Sequence, residues 1–294
     1  MTVWPALPYD EWRETCATLH MWTQIVGKVR LALAPHVNHW WQVPLYVGAR
    51  GLTTTAIPYQ DRTFEIEFDF VDHLLAIRTC EGDAQVVRLE PKPVAAFYAE
   101  TMAALESLRL PVHIWTMPQE VDAPLPFDRD TTHVSYEREP VERFWRVLRS
   151  VDAVLKEFRG GFIGKASPVH FFWGSFDHCV TRFSGRRAPP MPKADKVTQE
   201  AYSHEVSSVG WWPGDRTTPY PAFYSYASPE PAGFADVPVL PAAAFYDRDA
   251  GQFRLKYDDV RTASSPREAL LSFCRSTYEA AATRANWTRA ELER

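Results

Sequence analysis

The sequence predicts an α+β protein of mainly antiparallel sheets with packed helices, built as two related halves in one compact unit. Three observations predict it. Strand-length runs at 65–71, 74–79 and 84–90 follow one another across tight turns. Longer segments at 9–26, 93–108, 140–158 and 266–285 carry apolar residues at helical spacing. The stretches 27–52 and 164–188 share an order of features: Gly-Lys, an apolar run, a polar turn ending in His, a second apolar run, then Gly with Arg. That last similarity is the basis for expecting an internal duplication.

The elements follow in order. Over 9–26, Trp12, Cys16, Leu19, Trp22, Ile25 and Val26 recur on one helical face. Residues 28–35 alternate Val29, Leu31 and Leu33 with Lys28 and Arg30, which predicts a strand. A second strand is predicted over 39–48, with Pro44 marking an edge or a bulge. Turns at 72–73 and 81–83 connect the three strands that come next. Pro93 opens the helix at 93–108. Residues 116–139 are rich in Pro and Asp and read as a linker between halves 1–115 and 140–294. The helix at 140–158 presents Val141, Phe144, Trp145, Leu148, Val151 and Val154 as one stripe. Strands are predicted at 168–173, 178–184, 205–211, 221–228, 242–247 and 252–257, with a short helix near 195–203. A proline, Pro266, opens the final helix.

Composition narrows the function classes. A chain of 294 residues buries roughly 75% of its unfolded surface without staples. The 14% aromatic content, including 11 Trp, predicts a core or cleft that mixes stacking with hydrogen bonding. A formal net charge of −5 with no basic stripe argues against nucleic acid or an anionic membrane as partner. Cys16, Cys80, Cys179 and Cys274 are far apart and form no CxxC pair, so a zinc knuckle or thioredoxin-like site is not expected. No signal peptide and no membrane-spanning run is read, and a cytoplasmic location with reduced thiols is the expectation.

Polar residues concentrate in "GKASPVHFFWGSFDHCVTRFSGRRAPP" (164–190). Alternation sets His170 apart from Val169, Phe171 and Trp173, and a hairpin would let His170 and Arg182 share a face. The plain alternative is a hairpin whose His and Arg bond backbone and carboxylates. In "YSHEVSSVGWWPGD" (202–215), His204 shares a face with Val206 and Ser208. "FYSYASPEPAGF" (223–234) brings Tyr224 and Tyr226 to one face. No P-loop, GxGxxG, GxSxG or HExxH spacing is present.

The expectation is therefore a small-molecule enzyme acting on an anionic metabolite. His170, Asp177 and His204 would be acid–base groups, with His170 and His204 as ligands if a metal is bound. Lys165, Arg182 and Arg186 would hold the anionic group. Trp173, Trp211 and Tyr224 would form walls. The rival is a non-catalytic metabolite-binding or assembly protein using the same aromatic, Arg-rich cleft. Cofactor and oligomeric state stay open.

"WPALPYDEW", "LHMWTQIVGKVRLALAPHVNHWWQVPLYVGARGLTT", "GFIGKASPVHFFWGSFDHCVTRFSGRRAPP" and "SHEVSSVGWWPGD" together resemble a bacterial protein family known as a domain of unknown function. The resemblance spans nearly the whole chain and implies a single-unit protein of bacterial origin. It carries over no reaction, cofactor or catalytic residue.

Overall fold

Helix α1 (Tyr9–Leu33) opens the fold in a computed structural model that describes residues 3–294. Asp10 and Glu11 lie in its first turn, where the helix dipole favours negative charge. The helix runs through 28–33, so the strand expected at 28–35 is corrected. Lys28 and Arg30 are buried on this helix rather than facing solvent from a strand. Lys28 Nζ donates to the Met117 carbonyl at 2.6 Å, and Arg30 Nε donates to the Gln42 carbonyl at 2.6 Å. The strand expected at 39–48 is corrected as well. Asn38–Trp40 forms a 3-10 turn in which His39 and Trp40 both have φ of 60°. Only Tyr46–Val47 (β1) is extended there.

The first sheet adds β2 (Gly51–Thr53), β3 (Ile57–Tyr59), β4 (Arg62–Asp69), β5 (Leu74–Thr79) and β6 (Ala84–Arg88). Its order is β1-β2-β4-β5-β6, with β3 also paired to β4, and every pairing is antiparallel. Phe64, Ile66 and Phe68 of β4 face the core while Glu65 and Glu67 alternate with them. Helix α2 (Val94–Ser107) covers this face, and its Phe97 stacks on Trp22 of α1 at 4.4 Å.

Helix α3 (Arg138–Gly160) leads into the second sheet. That sheet comprises β7 (His170–Phe172), β8 (Asp177–Arg187), β9 (His204–Trp212), β10 (Ala222–Ser228), β11 (Phe245–Asp247) and β12 (Gln252–Lys256), and α4 (Lys196–Ala201) lies between β8 and β9. The order is β11-β12-β10-β9-β8-β7, again antiparallel throughout. Helices α5 (Tyr257–Arg261), α6 (Pro266–Arg284) and α7 (Arg289–Leu292) close the chain. The Ser265 side chain caps α6 and Pro266 occupies its first turn.

The architecture is α+β, with two six-stranded antiparallel sheets among the described residues. The structure does not confirm a duplication. Gly27-Lys28 lies inside a helix, whereas Gly164-Lys165 lies in the segment before β7. One buried cluster runs from Leu7 to Trp287 and draws on both sheets. Leu45 and Phe171 exchange two backbone hydrogen bonds at 2.9 Å, which tie the segment before β1 to β7. No helix among the described residues is long and apolar enough to cross a membrane.

The two faces of the second sheet differ. Val180, Val209 and Trp211 are buried on the side of α3 and α6, where Trp211 meets Phe144 of α3. Cys179, Thr181, Tyr224 and Tyr226 point the other way, into a cleft.

Candidate functional site

The cleft has a volume of about 800 Å³. β8, β9 and β10 form its floor. Helix α4 and the loop carrying His39 and Trp41 form one wall, and Gln119 and Glu120 close the other.

Asp177 begins β8 and is 7% exposed. Ser175 Oγ donates to its Oδ1 at 2.5 Å, and the Tyr224 hydroxyl donates to its Oδ2. Tyr224 sits two strands away. The register aligns it with Gly210 of β9, which in turn faces Cys179 of β8. A Cβ at Gly210 would lie 2.6 Å from the Cys179 Cβ and collide with the Tyr224 hydroxyl. The missing side chain therefore lets the phenol lie across β9 and reach Asp177. Beside this pair, the Tyr202 and Tyr226 hydroxyls bond at 2.9 Å, as do those of Thr181 and Ser208.

Burial pushes the Asp177 carboxyl above the usual carboxylate range, against the pull of its Ser175 and Tyr224 hydrogen bonds. Burial also raises Glu120, and the neighbouring Asp177 charge adds to that. Burial drives the Tyr224 and Tyr226 phenols well above their ordinary value. Neither Asp177 nor Glu120 forms an ion pair among the described residues. Such carboxyls keep their protons to higher pH than free ones, as a general acid requires.

Basic groups gather at the other end of the cleft. Lys165 Nζ donates to His39 Nε2 at 2.7 Å, and His39 Nδ1 donates to the Glu200 carbonyl at 3.0 Å. This assigns His39 the neutral tautomer with its proton on Nδ1. The His204 ring lies 5.8 Å from that of His39.

The residues singled out in the sequence thus divide. Asp177 and Tyr224 meet, and Lys165 and His204 share the His39 end. His170 lies behind the lining, 1% exposed, with the rings of Trp41, Tyr46 and Phe172 at 5.9, 5.6 and 5.2 Å. Neither ring nitrogen has a partner, and burial lowers its pKa to about 3. His39 and Trp41, 5.2 Å apart, stand between His170 and His204. These two histidines therefore form no ligand pair, and no group of three His, Cys, Asp or Glu suited to a metal occurs among the described residues.

Four further expectations are corrected by strand register and packing. Arg182 points to the helix side, its guanidinium 3.5 Å from the Phe158 ring centroid and 4.4 Å from that of Tyr278, and it donates to the Phe158 carbonyl. Arg186 bonds Glu205 and the Ala285 and Asn286 carbonyls at the end of α6. Trp173 donates its indole N–H to the Val43 carbonyl at 2.8 Å and fills the space above Gly27. Trp211 is buried between Phe144 and Tyr257.

Sequence reasoning missed Glu120, Gly210 and Tyr202 as cleft residues. A lone glycine inside an apolar strand is the one signal that could have found the close approach at Gly210. Glu120 lies in a Pro-rich loop, where periodicity says nothing. Residues 4–294 match the family described as Family of unknown function (DUF5996). No curated protein and no solved structure matches the chain.

Proposed function

Starting from a chain that belongs to a family of unknown function (DUF5996), we propose that it is a small-molecule enzyme working by acid–base chemistry in the β8–β10 cleft. One observation carries this reading: a buried Asp177 whose pKa burial pushes upward, bonded to Tyr224, in the same cleft as a second raised carboxyl, Glu120. Two carboxyls raised above their ordinary values in one cleft suit proton transfer, one as acid and one as base.

Asp177 donates a proton to a substrate oxygen or nitrogen. Tyr224 and Ser175 then hold the carboxylate that is left, since both hydroxyls donate to it. Glu120, nearer solvent, takes a proton from substrate or water. Tyr224 acts through Asp177 and is a positioning residue.

The test is a thermal-shift screen of a metabolite library, with NMR detection of turnover for every compound that stabilises the protein. In Asp177→Asn, turnover of a hit is expected to fall about 10²–10⁴-fold while the hit still binds. Tyr224→Phe is expected to move the pH profile of kcat. Full turnover in Asp177→Asn overturns the assignment. Binding without turnover in the wild type reduces the cleft to a metabolite-binding site.

A further inference from the structure

We propose that the His39 end of the cleft is a binding site for a phosphate group, held by Lys165, His204 and Arg187. Three strands of geometry meet here. Arg187 of β8 pairs directly with His204 of β9, so both side chains leave the same face of the sheet. His204 is in step with Val206, which lines the cleft, so that face is the cleft face. Lys165 is anchored to the same strand by its carbonyl, which accepts from the Phe183 amide at 3.0 Å. Its ammonium lies 5.3 Å from the Trp41 ring centroid and 5.1 Å from that of Phe183, two residues that line the cleft.

Neither Lys165 nor Arg187 forms an ion pair among the described residues. His204 Nδ1 lies 3.1 Å from Ser203 Oγ, and its Nε2 has no protein partner. A carboxylate at this end of the cleft, Glu200, accepts through Oε1 from His36 Nε2 at 3.1 Å and from the His39 amide at 3.2 Å. Basic side chains held together this way repel one another. Burial, then Lys165 and Arg187, lower the His204 pKa, and burial, then Lys165, lower that of His39. A bound anion would remove that repulsion.

Three donors on separate elements suit a tetrahedral dianion better than a planar carboxylate, which carries one charge and two acceptor atoms. The role expected of Arg182 and Arg186 falls instead to Lys165, His204 and Arg187. The inference rests on the proposed function in one respect: the same cleft holds His39 and Asp177, so the substrate would be a phosphorylated small molecule whose uncharged part reaches Asp177.

The experiment uses the full chain at low salt with inorganic phosphate as the probe. Affinity is read by calorimetry and the His204 ring by NMR. Phosphate is expected to bind and to move the His204 titration midpoint upward. Lys165→Met and Arg187→Gln are each expected to weaken binding at least about tenfold, and acetate to bind at least about tenfold more weakly than phosphate. Both substituted side chains are solvent-exposed, so the fold tolerates their loss. Asp177→Asn is expected to leave phosphate affinity unchanged, which separates this site from the acid–base assignment. A His204 titration indifferent to phosphate, or undiminished affinity in the double variant, overturns the site. Acetate binding as tightly as phosphate overturns the ligand class.

Discussion

Tyr224 holds Asp177 through one hydroxyl, and that contact depends on Gly210. Tyr224→Phe leaves a buried carboxyl short of a donor. It is expected to cost about 1–3 kcal/mol, measured by urea unfolding. Gly210→Ala is expected to cost about 1–3 kcal/mol by overpacking and to displace the phenol. Asp177 also sets a pH dependence. Its folded pKa is raised above 3.8, so the unfolded chain releases its proton first. As pH rises past 3.8 toward the folded value, wild-type stability falls. The stability difference should shift in favour of Asp177→Asn over that window, read from unfolding curves at several pH values. Tyr224 was legible because it sits in a strand of readable alternation, whereas Asp177 was read in the turn before a strand at 178–184 and in fact begins that strand. Arg182 and Trp211 were misread because alternation groups residues by face without saying which face meets a helix.

Helix α1 shows how a buried cation hides an element. Lys28 and Arg30 alternate with Val29 and Leu31, which mimics a half-exposed strand, yet all but Leu31 are buried on the helix. Lys28 is 4% exposed, and burial lowers its pKa from 10.5 to about 8. The unfolded chain therefore binds more protons between those two values. Stability should rise with pH across that window, by up to roughly 3 kcal/mol. Lys28→Met should abolish the rise, as denaturation at pH 8 and pH 10.5 would reveal. A wild-type stability that is flat over the same range would contradict the burial of an unpaired ammonium. The strand β4 was legible because one face is buried and the alternation repeats along its length, and β5 and β6 because tight turns bound their apolar runs. β2 and β3 span three residues each, too few for a period to register.

Across the whole molecule, aromatic contacts link the two sheets through Phe70, 6.0 Å from Phe68 and 6.5 Å from Phe144. Phe144 of α3 meets Trp12 of α1 at 5.2 Å, Phe176 at 5.4 Å and Trp211 of β9 at 6.0 Å. On the other side, Phe97 lies 6.3 Å from Phe68 of the first sheet. Phe144→Ala is expected to cost about 3–5 kcal/mol and to lower hydrogen-exchange protection in β4 and β9 together. Two separate unfolding transitions would contradict a shared core. The α+β class was legible because the local periods of two and 3.6 were clear in most elements. The pairing of halves was not, because matching letters at 27–28 and 164–165 do not specify a backbone conformation. Gly27 and Trp173 lie against each other, and any side chain at 27 would enter the Trp173 ring. Neither position can drift alone during divergence. Related chains that enlarge one are expected to have shrunk the other, leaving a correlated pair of substitutions that joins the amino-terminal helix to the second sheet.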